Sequence, residues 1–210
     1  MLDTLAKNGG MLGAFAVVTT ALISLTYLGT EDRIEQQQRA RLITILNEVV
    51  PAALYDNQLY ADCTLISADA LGSDRNHRVY RAREQNQPVA LALQTTAPDG
   101  YSGDIELVVG VDASMTVLGV RTLEHQETPG LGDKIELAVS DWIRTFSGKT
   151  YREEEKQAWQ VKKDGGQFDQ FTGATITPRA VVGAVRRTLD YVADNRTVLF
   201  EQPANCSETE

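Results

Sequence analysis

"DQFTGATITPRAVVGAVRR", Asp169–Arg187, joins a small polar turn to a helical pattern. Val181, Val182, Val185, Leu189 and Val192 recur at helical spacing and predict a helix from Pro178 onward. Thr177 directly before Pro178 reads as its start, a hydroxyl at the N-cap and a proline at the first helical position. Gly173 permits a backbone conformation closed to other residues and lets a ligand come close. Thr175 then lies just outside a helix N-terminus, where free N–H groups and the positive end of the dipole make a seat for a phosphate. A capped turn accounts for Thr177 and Pro178. It leaves Thr172, Ala174 and Thr175, together with Asp169, unexplained.

Upstream, Leu131, Ile135, Ala138, Val139, Trp142, Ile143 and Phe146 form an apolar stripe that predicts a second helix ending near Gly148. Between the two, "KQAWQVKK" (Lys156–Lys163) reads as a short strand and "DGGQFDQ" as a loop. Further back, four runs have strand character: Arg78–Arg83, Val89–Thr96, Asp104–Asp112 and Thr116–Gln126, with an Asp-Ala-Ser-Met turn between the last two. "EDRIEQQQRARLITILNEVVP" is a helix, with Ile34, Leu42, Ile45, Leu46 and Val49 at helical spacing and Pro51 as its stop. Strands and helices are mixed without regular βαβ alternation, so the class is α+β.

The N-terminal run "MLGAFAVVTTALISLTYL", Met11–Leu28, carries no charge. Its polar members, Thr19, Thr20, Ser24 and Thr26, have hydroxyls that can bond back to the helix's own carbonyls. With its glycine flanks it supplies the roughly 20 residues that a bilayer core requires. A cleaved signal peptide would have a more basic start than Asp3 and Lys7 provide and a small-residue cleavage site, which nothing after Leu28 resembles. A retained single-span anchor is therefore expected. Lys7 precedes the span while Arg33, Arg39 and Arg41 follow it, a count that by itself puts the large domain in the cytoplasm. Long domains translocate largely regardless of such charges, so the count does not decide orientation.

The chain has 210 residues and a net charge of -9, which excludes the basic footprint of a nucleic-acid binder. Its cysteines, Cys63 and Cys206, form no metal-binding pattern; they pair if the domain matures in an oxidising compartment and are otherwise unrelated thiols. "SGKT" at Ser147–Thr150 lacks the glycine that a phosphate-binding loop needs at Ile143, and "GLGDKI" lacks the third glycine of a dinucleotide fingerprint at Ile135. His125 and Glu127 share a strand face in this reading, but two ligands without a third are weak support for a metal.

"DQFTGAT" resembles the Asp-x-x-[Ser/Thr]-Gly-Ala-[Ser/Thr] signature of FMN-binding domains, and "HQETPGLGDK" (His125–Lys134) and "GYSGDIELVVGVD" (Gly100–Asp112) are similar to two further blocks of that family, in the same order. With the anchor and the chain length, the whole resembles the G subunits of Rnf ion-translocating electron-transport complexes, relatives of the C subunit of the sodium-translocating NADH:quinone reductase. The resemblance implies a mixed-strand FMN-binding domain with flanking helices behind one N-terminal transmembrane helix. Its divisions are a tail (1–10), an anchor (11–29), a stalk helix with an N-terminal α/β part (30–98), the FMN-binding domain (99–198) and a C-terminal tail (199–210).

It further implies that FMN is carried covalently, as a phosphoester on Thr175, installed from FAD by a separate flavin transferase. Thr172, Gly173, Ala174 and Thr177 become cofactor-binding on the same ground. Across the site, Glu127 and Thr128 are polar contacts, Leu131 packs on the ring and Gly132 allows close backbone approach. Lys134 faces the phosphate or the ring's anionic edge, or else solvent, and Tyr101 is a stacking partner. No acid–base catalyst and no metal are expected. The implied partners are the other membrane subunits of the complex and membrane lipid. The implied location is the bacterial inner membrane with the domain on the periplasmic side. The implied function is electron flow between ferredoxin and NAD, or reduction of a redox sensor, coupled to cation movement. The alternative is an FMN-binding sensory ectodomain, against which stands the short stretch Met1–Gly10 before the span.

Overall fold

The computed structural model describes residues 2–206. It divides into two units, one through Leu42 and one from Ile43. The first lies in helix α1 (Leu2–Val49), which takes in the described tail residues, the residues read as anchor and the stalk helix. Within α1 the stretch Asp3–Glu31 is long and apolar enough to cross a membrane. Two of the four hydroxyls noted there bond back along the helix: Thr19 Oγ donates to the Phe15 carbonyl and Thr26 Oγ to that of Leu22, at 3.0 and 2.8 Å.

The second unit is an antiparallel meander of five strands in chain order: β1 (Cys63–Ala68), β2 (Ser73–Glu84), β3 (Gln87–Ala97), β4 (Ile105–Asp112) and β5 (Val117–Glu124). Gln85 and Asn86 both take positive φ, the tight two-residue link that matches strand twist between β2 and β3. At the Asp-Ala-Ser-Met turn the Asp112 carboxylate accepts from the Ser114 and Thr116 amides at 2.8 and 2.9 Å, fixing the β4–β5 reversal. Helix α2 (Ile176–Glu201) lies on β3 and β4, burying Ala180, Val181, Val185, Leu189 and Val192 against Leu93, Leu107 and Val109.

The end of α1 meets the same sheet. Gly110 and Gly119 are register partners on β4 and β5. A Cβ on Gly110 would come within 2.0 Å of the Val49 carbonyl oxygen, and one on Gly119 within 2.9 Å of that of Glu48. Only glycine lets the helix end sit so close, and Arg121 fastens it by an ion pair to Glu48 at 2.5 Å. Cys63 and Cys206 form a disulfide, with the Asn205 amide donating to the Cys63 carbonyl and the Asn205 side chain accepting from the Leu65 amide. The C-terminal segment thereby covers the open edge of β1.

Two expectations are corrected, and one strand is added that the sequence reading does not mark. The stripe from Leu131 to Phe146 is not one helix but two 3-10 turns, Asp133–Ile135 and Asp141–Phe146, because Ser140 breaks the run and caps the second by accepting from the Trp142 amide. Ile135, Trp142, Ile143 and Phe146 are nonetheless buried, so the apolar spacing recorded a packed face without recording helical hydrogen bonds. Lys156–Lys163 is not a strand. Glu153–Ala158 and Lys162–Asp164 are 3-10 turns, and Val161 makes one isolated bridge to Phe168. Alternating burial of Trp159 and Val161 imitates a strand there, but no ladder partner runs alongside. In the other direction, Cys63–Ala68 is a strand although its short run carries no clear alternation.

Candidate functional site

Three segments converge on a cavity of about 290 Å³. One is the loop before β4, which contributes Tyr101. The second follows β5 and contributes Glu127, Thr128, Leu131 and Gly132. The third is the polar turn and the start of α2, Gly173–Thr177.

The second segment is a compact turn in which the Leu131 and Gly132 amides both donate to the Thr128 carbonyl, at 3.1 and 3.0 Å. Gly130 takes φ of +78° within it. Glu127 is 5% exposed. Its Oε1 accepts from the Ser102 amide at 3.0 Å and its Oε2 from the Thr177 hydroxyl at 2.5 Å. A Cβ on Gly132 would fall within 2.5 Å of Glu127 Oε2, so glycine is required there by the side chains it faces. His125 turns the other way. Its Nδ1 accepts from the Glu127 amide and its Nε2 meets the Glu136 carboxylate at 2.6 Å. Among the described residues no group of three or more His, Cys, Asp and Glu side chains is arranged for a metal.

The third segment is held from beneath. Trp142 Nε1 donates to the Asp169 carbonyl at 2.7 Å, the Ala174 amide donates to the Phe171 carbonyl, and Phe171 packs edge-on against Trp142 at 5.1 Å. Lys162 pairs with the Asp169 carboxylate at 2.6 Å. Gly173 takes φ of +83°, and a Cβ there would touch only Leu131, at 3.8 Å. The expected N-cap moves by two residues. Helix α2 begins at Ile176, Thr175 stands at the N-cap position without a side-chain capping bond, and Thr177 lies inside the first turn with its hydroxyl given to Glu127. Proline is tolerated at Pro178 because amides of a first helical turn have no intrahelical acceptor to lose.

Of the residues singled out from the sequence, Tyr101, Glu127, Thr128, Leu131, Gly132, Gly173, Ala174, Thr175 and Thr177 line this cavity together. Thr172 is exposed in the turn and does not line it, nor does Lys134, whose Nζ sits 5.9 Å from the centre of the Phe171 ring. Ile176 lines it and was not anticipated; its place between two flagged threonines was the available signal.

The donor set suits FMN. Tyr101, Leu131 and Ile176 leave 67%, 43% and 45% of their surfaces open around the cavity, an apolar surface suited to a flat ring. The start of α2 offers first-turn amides to a phosphate, with the uncommitted Thr175 hydroxyl among them.

Comparison with known proteins bears on the same residues. A family model described as the FMN-binding domain matches residues 100–190, and one described as the RnfG N-terminal region matches residues 1–49. Over 207 residues the chain is 52% identical to the G subunit of the ion-translocating oxidoreductase complex of Shewanella amazonensis, covering 98% of this chain and 96% of that one. It is 50% identical to the protein of the same name from Vibrio vulnificus and 49% to that from Vibrio atlanticus, each over 206 residues and 98% of this chain, and 98% and 99% of theirs.

The chain belongs to the family of G subunits of ion-translocating oxidoreductase complexes.

Every residue that lines the cavity falls inside the FMN-binding domain of this family member. A crystal structure of NqrC from Shewanella oneidensis is also similar, at 23% identity and a TM-score of 0.47 over 66% of this chain and 67% of that one.

Proposed function

We propose that this chain is a membrane-anchored electron carrier, the flavin-bearing redox subunit of an ion-translocating oxidoreductase complex, with FMN joined to Thr175 through a phosphoester. The observation that carries this is the Thr175 hydroxyl, uncommitted to capping at the open N-terminus of α2 and turned to a cavity lined wholly from the FMN-binding domain. FMN, when bound, supplies one- and two-electron chemistry through its isoalloxazine ring. The chain supplies attachment, orientation and electrostatics. A threonine hydroxyl is too weakly acidic to act as a nucleophile unaided, so attachment calls for a flavin transferase. The Thr175 Oγ–phosphorus bond forms as the pyrophosphate bond of FAD breaks, AMP leaves and the hydroxyl proton passes to a base of the transferase. The remaining single negative charge suits the first turn of α2. Tyr101 and Leu131 flank the ring, Thr128 offers a polar contact, Thr172 supports the turn, and Lys134 contributes positive charge from behind Phe171.

The globular unit works on the periplasmic side of the inner membrane. The Cys63–Cys206 disulfide supports this, since such bonds persist in oxidising compartments. Electrons pass between donor and acceptor subunits of the complex, linking ferredoxin and NAD chemistry, or the reduction of a redox sensor, to cation movement. The carrier alone has no complete activity.

The full chain produced with a flavin transferase and then denatured should keep flavin fluorescence on the polypeptide, and Thr175→Ala should abolish it. Flavin that washes off the denatured wild type would overturn covalent attachment. Flavin retained by Thr175→Ala would move the attachment elsewhere.

A further inference from the structure

Among the described residues that line the cavity, Glu127 alone is charged. Burying a carboxylate is unfavourable unless donors meet it, and this one is met on both oxygens, by the Ser102 amide and the Thr177 hydroxyl. The backbone is also narrowed around it from two sides. A Cβ on Gly132 would stand 2.5 Å from Oε2, and one on Gly100 would stand 3.0 Å from Oε1. Neither a helix cap nor a turn requires that arrangement, because Thr177 lies inside the first turn of α2, past the N-cap position that Thr175 holds. The three tied segments are the three that build the cavity. Ser102 follows Tyr101, Glu127 precedes Thr128, and Thr177 lies two residues after Thr175.

Resting on the flavin reading above, we propose that Glu127 is a positioning residue that locks the start of α2 to the opposite wall and sets a fixed negative charge beside the cofactor. Through Thr177 it holds the first turn of α2 in register, so the Thr175 hydroxyl faces the cavity. Small displacements of a reacting group cost large factors in rate, so this register governs how fast flavin is attached. Its charge acts in a site partly shielded from water, where it opposes the negative charge that reduction brings into the cavity. The bound flavin is thereby held at a lower midpoint potential than the same pocket would give without Glu127.

The test uses the full chain in detergent, with purified transferase and FAD, and reads attachment rate, midpoint potential and melting temperature. Glu127→Gln keeps the shape and removes the charge, and its loaded form should show a midpoint shifted to higher potential. Glu127→Asp keeps the charge but cannot span both donors; it should load several-fold more slowly while its midpoint stays near that of wild type. If Glu127→Gln does not fold, Thr177→Val deletes one donor and leaves the carboxylate, and it should also slow attachment several-fold. A folded Glu127→Gln with the wild-type midpoint overturns the charge assignment, and wild-type attachment rates in Glu127→Asp and Thr177→Val overturn the positioning one. A wild-type chain that takes up no covalent flavin overturns the flavin reading itself and this assignment with it.

Discussion

At its C-terminal end α2 runs into two guanidinium groups and a disulfide; at its N-terminal end it runs into a cavity. Arg81 donates to the carbonyls of Leu199 and Gln202, Arg83 donates to that of Phe200 at 2.8 Å, and both arginines are held by the Asp62 carboxylate. These bonds satisfy the last carbonyls of the helix and set positive charge at the negative end of its dipole. Thr64 donates to the Gln202 side chain at 3.1 Å, and four residues further on Cys206 is tied to Cys63. At the other end no side chain among the described residues takes up the backbone amides of the first turn: Thr175 makes no capping bond, and the Glu127 carboxylate is engaged by the Thr177 hydroxyl. One end fastens the fold. The other keeps its donors for a ligand. Damage to the two should therefore separate into loss of stability and loss of cofactor.

The largest effect on stability is expected from Arg81→Met. Its side chain is 3% exposed, and removal takes from Asp62 the more buried of its two arginine partners and from the Leu199 and Gln202 carbonyls their guanidinium donor. Breaking a pair of this kind costs about 3–5 kcal/mol. Melting temperature should fall by roughly 2–4 °C for each kcal/mol lost, while the folded fraction still accepts flavin on Thr175. Unchanged melting would show that the closed end does not depend on Arg81.

Opening the disulfide comes next. The bond closes a separation of 143 residues, and Cys63→Ala with Cys206→Ala should cost about 2–4 kcal/mol. Wild-type protein melted in reductant should match the double variant, and a mismatch would mean that the alanines do harm of their own.

A smaller effect, dependent on pH, lies on the strand that carries both arginines. His77 of β2 is buried with Nε2 near the hydroxyls of Ser73 and Thr96 and Nδ1 without a partner among the described residues. Burial, reinforced by the charge of Arg75, lowers its pKa from the usual 6.5. The unfolded chain then binds a proton that the native chain refuses, so this contribution is complete above pH 6.5 and is lost as pH falls through the lowered native value. Chemical denaturation across that window should give a slope that flattens in His77→Gln. An equal slope in the variant would assign the pH dependence to other groups.

The smallest effect on stability marks the open end. Thr175→Ala removes no capping bond, and its melting temperature should stay within the shift expected for less than about 0.5 kcal/mol. A large drop would mean that Thr175 holds the helix after all.

Features carried by nearest neighbours along the chain were legible before any fold was known. The apolar run inside α1 needs only its own length and lack of charge to be read as a span. The valine spacing of α2 and the bulk of β2 to β5 follow from periods that a helix or a pleat imposes locally. The threonine-glycine turn ahead of α2 was legible for the same reason, since glycine and hydroxyl side chains act on their own backbone. What the tertiary structure decided were choices between distant partners. Leu131–Phe146 kept its apolar face yet broke into 3-10 turns, and Cys63–Ala68 became a strand because β2 lies beside it. Lys134 went to Phe171 and not to the cavity wall. Cys63 found Cys206, and Thr177 gave its hydroxyl to a carboxylate 50 residues away, leaving Thr175 at the end of the helix. Periodicity and turn chemistry are properties of a short window. The partner that takes a given hydrogen bond is set by which segments the packed core brings together.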